Sequence, residues 1–245
     1  NQFTFNSQSL ALGVSEDVTK SIKNNIDLKI PVRTLLNGVN TNSFQKDSRF
    51  KEATRKELGI PQDAVVLGNV AVFRFQKRLV EWLRVFKALD KKNENLYGII
   101  VGAGPLEDEI KSELKRLDLT KKVLFPGLQT NVKPYFSAMD IFMMSSSFEG
   151  LPIALLEAMS MECAVVSTDA GGIKEVIRDQ QDGLICPVDK WEELGELCQT
   201  LIDSPEKLMN LKKSARTRVI ESFSLEKMVN ELESIYKELA NSNIV

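Results

Sequence analysis

The stretch IFMMSSSFEGLPIALLEAMS, residues 141–160, decides the fold. Its first part is a short apolar run typical of a strand covered on both faces, and its second part repeats apolar residues at spacings of three and four, as a helix does. Between them SFEG turns the chain, and Pro152 stands at the first helical position, where its missing N–H costs nothing. The helix therefore opens its N-terminus beside the carboxyl end of the strand. Free backbone amides at Gly150, Leu151 and the first turn make that end an anion site suited to phosphate. Glu149 lies at the mouth of the turn, and Glu157 about one and a half turns into the helix, roughly 7 to 8 Å along it. Two carboxylates so placed can accept hydrogen bonds from pairs of sugar hydroxyls. Either glutamate alone reads more simply as a solvated or ion-paired side chain, so the neighbouring stretches carry the weight.

Outward from this unit the same pattern recurs. Apolar runs at 65–73, 96–102, 122–127, 141–146, 163–169 and 183–188 alternate with helix-like segments near 80–92, 106–118, 132–139, 152–161 and 173–180. Strands apolar on both faces, each followed by a helix, predict a doubly wound α/β domain: a parallel sheet of about six strands with helices on both faces. Ligands of such sheets sit beyond the carboxyl ends of the strands. Two more helices are expected over 190–203 and 206–220, and a last one after Ser224 as N-cap. Residues 1–45 fit this unit poorly. LALGVSEDVTKSI reads as a strand running into a helix capped by Ser15, and KIPVRTLLNGVNTNSF as a strand ending in an Asn37-Gly38 turn. QKDSRFKEATRKELG is charged and helical, and IPQDA turns.

Composition narrows the chemistry. The 245 residues suit one large domain or one domain plus a remnant, and 43% hydrophobic residues support a sizeable core. With 32 basic against 34 acidic side chains the net charge is -2, which does not recommend nucleic acid as a partner. The chain has no histidine, which excludes His general bases, Ser-His-Asp triads and His-based metal sites from it. Cys163, Cys186 and Cys198 are odd in number and lack CxxC spacing, so they read as core fillers of a reduced, intracellular protein, with no metal site. Trp82 and Trp191 fall in helical patterns as packing residues, and the basic run KKSARTR (212–218) reads as one solvated helix face. No apolar run approaches the roughly 20 residues that span a bilayer, and NQFTFNSQS lacks the basic-then-apolar profile of a secretion signal. The chain begins without Met, as a processed form or an excised piece would.

Several motifs occur together: Glu149-Gly150-Leu151-Pro152 followed by Glu157-Ala158-Met159, VGAGPLEDEIKSEL (101–114), VLFPG (123–127), MDIFMMSSSFEG (139–150), VVSTDAGGIKEVI (165–177) and DGLICPVD (182–189). In these, over about residues 30–240, the sequence resembles the retaining glycosyltransferases of the GT-B fold, specifically glycosyltransferase family 4, the glycosyl transferases group 1 domain, with its Glu-x7-Glu motif. The resemblance implies a nucleotide-sugar donor site. Glu157 would accept hydrogen bonds from the ribose hydroxyls, Glu149 would contact the donor sugar near the reacting carbon, and the Gly150 and Leu151 amides would hold the distal phosphate. Arg74 and Lys77 would neutralise the diphosphate leaving group without a metal. Relatives usually place that Lys five positions after the Arg, whereas here Lys77 follows Arg74 by three, which leaves Lys77 or Arg78 as the cation. Backbone groups of Gly127, Leu128 and Gln129 would hold the base, and Gly102 and Gly104 would let the donor lie close to the sheet. Gly171-Gly172 would form a turn near the sugar or a purely structural one, with Glu175 a surface residue.

The GT-B fold has two Rossmann-like halves, so the resemblance also divides the chain. Residues 1–45 would be a remnant of the N-terminal acceptor domain plus the interdomain linker, with NGVNTNSF as its signature, and 46–245 the donor-binding domain. The implied activity is retaining transfer of a hexose-type sugar from a nucleoside diphosphate donor, a UDP-sugar as substrate with no cofactor, to a carbohydrate or lipid-linked acceptor in bacterial polysaccharide biosynthesis. The implied location is cytoplasmic, with the full-length protein able to associate peripherally with the inner face of the membrane. Two other readings compete: a nucleotide-sugar 2-epimerase on the same scaffold, and a non-catalytic nucleotide-binding interaction module.

Overall fold

A computed structural model of the chain describes residues 8–27 and 29–242. Six strands form one sheet: β3 (Val65–Val70), β4 (Leu96–Val101), β5 (Val123–Gly127), β6 (Ile141–Met144), β7 (Ala164–Thr168) and β8 (Leu184–Cys186). All adjacent pairs are parallel, in the order β5-β4-β3-β6-β7-β8. Side chains alternate between two cores with the period of two that a strand imposes. Leu67, Ile100, Met143 and Val166 face α3 (Leu79–Asp90), α4 (Glu107–Arg116) and α8 (Leu194–Ile202). Val66, Ile99, Phe142 and Val165 face α5 (Lys133–Ala138), α6 (Ile153–Ser160), α7 (Ile173–Val176) and α9 (Pro205–Ser222). With both faces covered, the strands need no polar alternation, which is why they read as continuous apolar runs. Pro126 is tolerated because β5 is an edge strand. Trp82 is fully buried, and its indole N–H donates to Met143 O at 3.0 Å, pinning α3 to β6.

The six-strand expectation holds, with narrower bounds. The first strand stops at Val70, because Ala71–Phe73 leave the sheet to run along Gly102–Gly104. The helix expected over 173–180 is the single turn α7, and the segment 190–203 divides into a 3-10 helix, Val188–Glu193, and α8. Trp191 falls in the 3-10 part.

At the N-terminus, β1 (Ala11–Gly13) pairs in parallel with β2 (Val32–Thr34) across α1 (Glu16–Asn25). Ser15 is the N-cap, its hydroxyl accepting from Val18 N at 3.1 Å, and Ser224 caps α10 (Leu225–Ser242) by accepting from Lys227 N at 3.3 Å. The expected Asn37-Gly38 turn is absent. Asn37 donates its side-chain amide to Leu151 O at 2.8 Å, and Gly38 lets the chain pass against the α9–α10 junction, where a Cβ would stand 2.7 Å from Ser224 O. Both residues serve long-range packing, which overrides their local turn preference.

The basic run is also not a solvated face. Lys212 on α9 donates to Asp140 Oδ1 at 2.9 Å, Arg216 reaches Phe44 O and Ser160 O, and Arg218 reaches Glu175 O and Val176 O at 3.1 and 3.2 Å. Fully buried Arg55, on α2 (Ser48–Glu57), holds the other oxygen of Asp140 at 2.8 Å and the carbonyls of Gln62, Ala64 and Ala138. Burial alone would push the Asp140 carboxyl up; the Lys212 and Arg55 charges overcome it and hold the group down at about 2. No helix among the described residues is long and apolar enough to cross a membrane.

Candidate functional site

The strand order reverses between β3 and β6. From β3 the chain moves outward through β4 and β5, then returns to β6 on the other side of β3 and moves outward through β7 and β8. Loops leaving the carboxyl ends of two such strands diverge, and the crevice between them is where ligands of doubly wound folds bind. The loop after β3 carries Arg74, Lys77 and Arg78. The loop after β6 carries Ser145 to Pro152.

Two of the three serines stitch these loops together. Ser145 Oγ lies 3.0 and 2.8 Å from the carbonyls of Lys77 and Arg78, and Ser147 N donates to Gln76 O at 2.8 Å. Ser146 turns the other way and donates to Glu149 Oε1 at 2.6 Å. Lys77 Nζ meets the same oxygen at 2.6 Å, so the nearly buried Glu149 carboxylate is fixed by a hydroxyl and an ammonium. The two basic candidates have different partners: Lys77 faces Glu149, whereas Arg78 donates to Val188 O at 2.9 Å. Arg74 is exposed, and its guanidinium makes no hydrogen bond to the other described residues.

Beside this pair the amides of Gly150 and Leu151 meet no acceptor among the described residues, and α6 begins immediately after, with Pro152 as its N-cap rather than its first residue. Glu157 lies in the second turn of α6, half-buried, and its carboxylate has no hydrogen-bond partner among the described residues. Burial pushes its carboxyl up to about 7, and no cation offsets this. Such a group lacks donors, which hydroxyls of a ligand would supply.

The glycines divide. Gly127 has φ 78° and open space where a Cβ would stand, with exposed Leu128 next to it; the Gln129 amide is turned back onto Pro126 O at 2.8 Å. Gly102 and Gly104 differ from expectation: a Cβ on Gly102 would stand 1.9 Å from Ala71 O, and one on Gly104 2.6 Å from Phe73 N. Their missing side chains serve the crossing of two chain segments. At Gly171, φ 54°, a Cβ would fall 2.0 Å from Glu149 O, and at Gly172 one would fall 2.1 Å from Gly150 O, so this pair props the site loop from below.

Glu175 is not a surface bystander. Its carboxylate accepts from Glu16 N at 2.8 Å and Asp17 N at 3.0 Å, closing the N-terminus of α1. Sequence reasoning missed this residue, Asn37 and the individual roles of the serines. Of these only the serine run was visible as a local signal. All three cysteines are buried, and burial pushes the thiols of Cys163 and Cys186 up to about 11 and about 12, so they are inert. Among the described residues no three His, Cys, Asp or Glu side chains cluster to hold a metal.

Comparison with known proteins gives the fold and the family. N-acetyl-alpha-D-glucosaminyl L-malate synthase of Bacillus anthracis is 30% identical over 209 residues, covering 85% of this chain and 54% of that relative. The chain thus spans about half the length of this curated relative. Among solved structures, sucrose-phosphate synthase of Thermosynechococcus elongatus matches with a TM-score of 0.87 at 18% identity, over 98% of this chain and 61% of the other. Anabaena Alr3699/HepE, solved in complex with UDP and glucose, matches with a TM-score of 0.85 at 19% identity, over 94% of this chain and 63% of the other. These two likenesses establish the fold, that of GT-B glycosyltransferases. The family described as "Glycosyl transferases group 1" matches residues 50–218, well over half of the sequence, and the chain belongs to that family.

Proposed function

We propose that the chain binds a nucleoside diphosphate sugar in the crevice between the β3 and β6 loops, as the donor-binding part of a retaining hexosyltransferase. The observation that carries this is the meeting of Lys77, Glu149 and the unengaged Gly150 and Leu151 amides where the strand order reverses. In the proposed reaction the bond between the anomeric carbon and the diphosphate breaks, a bond from that carbon to an acceptor hydroxyl oxygen forms with the configuration retained, and the hydroxyl proton leaves with the diphosphate. The charge that grows on the departing phosphate is met by the Lys77 ammonium and the two amides, in place before reaction, and by the Arg74 guanidinium. Glu149, held by Ser146 and Lys77, faces the sugar near the reacting carbon. Glu157 receives the ribose hydroxyls, and the backbone at Gly127 to Gln129 the base. A UDP-sugar is the donor we favour, consistent with the Anabaena protein solved with UDP and glucose.

The acceptor is proposed to be a carbohydrate or lipid-linked molecule of bacterial polysaccharide biosynthesis, working at the cytoplasmic face of the membrane. Residues 1–45 are proposed to belong to the acceptor side and its linker, and 46–245 to the donor side. Calorimetry tests the donor reading with uridine, UDP and UDP-glucose. UDP should bind at least tenfold more tightly than uridine, and Lys77→Ala should lower the UDP affinity while sparing uridine. Equal binding of uridine and UDP would remove the phosphate site.

A further inference from the structure

An α-helix leaves its first amides without intrahelical partners. In α1 these are Glu16, Asp17 and Val18. The Ser15 hydroxyl serves Val18, and the amides of Glu16 and Asp17 are both served by Glu175, 159 and 158 positions away in sequence. A capping box would serve the N-cap amide from a carboxylate at the third helical residue, which here is Val18, so the cap on the Glu16 and Asp17 amides comes from another part of the molecule.

Glu175 is anchored on two sides. Its carbonyl accepts from Arg218 Nη2 on α9 at 3.1 Å, while its carboxylate reaches α1. Because α7 is a single turn, Glu175 is rigidly tied to Gly171-Gly172, which lie against the carbonyls of Glu149 and Gly150. The N-cap of α1 and the residue before it rest on the same spot. Ser15 Cβ is 2.8 Å from where a Cβ of Gly172 would stand, and Val14 Cγ2 is 3.2 Å from where one of Gly150 would stand. A displaced α1 therefore withdraws one set of contacts from the loop that carries Glu149 and the two unengaged amides.

We propose that Glu175 is a positioning residue that fastens the β1–α1–β2 unit onto the Glu149–Leu151 loop and so holds the anion-binding amides in register. The part of this that concerns ligand rests on the donor reading above. A glutamine at 175 offers one acceptor oxygen for two amides, and an alanine offers none, so the two substitutions should give graded effects.

The test combines amide hydrogen exchange with UDP calorimetry on Glu175→Ala, Glu175→Gln and a control, Lys174→Ala, whose ammonium pairs with Asp169 at 2.7 Å on the same turn. In Glu175→Ala, exchange should speed at least tenfold over 16–18 and at least threefold over 148–151, with at least fivefold weaker UDP binding. Glu175→Gln should fall between this and wild type, and Lys174→Ala should match wild type. Unchanged exchange over 16–18 in Glu175→Ala would overturn the fastening. Faster exchange there with 148–151 unaltered would overturn the link to the site. If wild type itself does not bind UDP, the donor reading fails, and the exchange at 148–151 alone decides the positioning role.

Discussion

Glu157 shows how one side chain reports the site. Its carboxyl titrates near 7 in the folded protein against about 4.5 unfolded, because burial disfavours the charged form. The native state thus holds a proton that the unfolded state loses between these values, and stability from this group falls as pH rises from about 4.5 to about 7. Glu157→Gln should be more stable than wild type by about 1–2 kcal/mol at pH 8, allowing for partial solvent screening. The advantage should vanish near pH 4, as read from urea melts at both pH values. On the donor reading the same substitution should weaken UDP binding by about 1–3 kcal/mol at pH 8, the range for a charged hydrogen-bond partner. Greater stability with weaker binding is the signature of a carboxylate kept for a ligand. Asp140 behaves in the opposite sense: its carboxyl is held at about 2, so its contribution is present above about pH 4 and lost as pH falls toward 2. Asp140→Ala would leave Arg55 and Lys212 buried without their partner and should cost about 3–5 kcal/mol at pH 7, measured by denaturant unfolding.

Elements are held at the site by loops rather than by helix propensity. α6 has a hydrophobic middle and a clean N-terminus, yet its position relative to β3 depends on the serine bonds to the 75–78 turn and on the Gly171-Gly172 prop. Gly171→Ala places a Cβ against Glu149 O in a left-handed conformation that alanine enters at a cost of about 1–2 kcal/mol. The expected result is a Tm lower by a few degrees and, on the donor reading, UDP binding weakened more than tenfold, because the loop, not the core, must move. A Tm loss with unchanged affinity would show that the prop does not set the loop.

Stability across the whole molecule should be uneven. β3 and β6 are central and covered on both faces, whereas the β1–α1–β2 unit is a two-stranded parallel sheet, too small to stand without the contacts it makes to the rest. Native-state hydrogen exchange should find the slowest amides in β3 and β6, and openings of β1–α1–β2 at least 2 kcal/mol easier. The bridge between this unit and α10, Arg33 to Glu238 at 2.6 Å, is solvent-exposed, so Arg33→Ala should change stability by no more than about 0.5 kcal/mol.

The sequence by itself determined what depends on local order along the chain. The six strands, the helices between them, the Ser15 and Ser224 caps and the Glu149–Pro152 turn at a strand's carboxyl end were all legible, because apolar periodicity and N-cap chemistry act over a few residues. Tertiary structure alone decided what depends on residues far apart in sequence. It placed β6 beside β3, chose Lys77 over Arg78 for Glu149, turned Asn37 from a turn former into a partner of Leu151, buried the basic face of α9 around Asp140, and set Glu175 on the end of α1. The physical reason is common to all five: a hydrogen bond or ion pair between distant segments exists only once packing has brought them together, and no local preference of either segment encodes it.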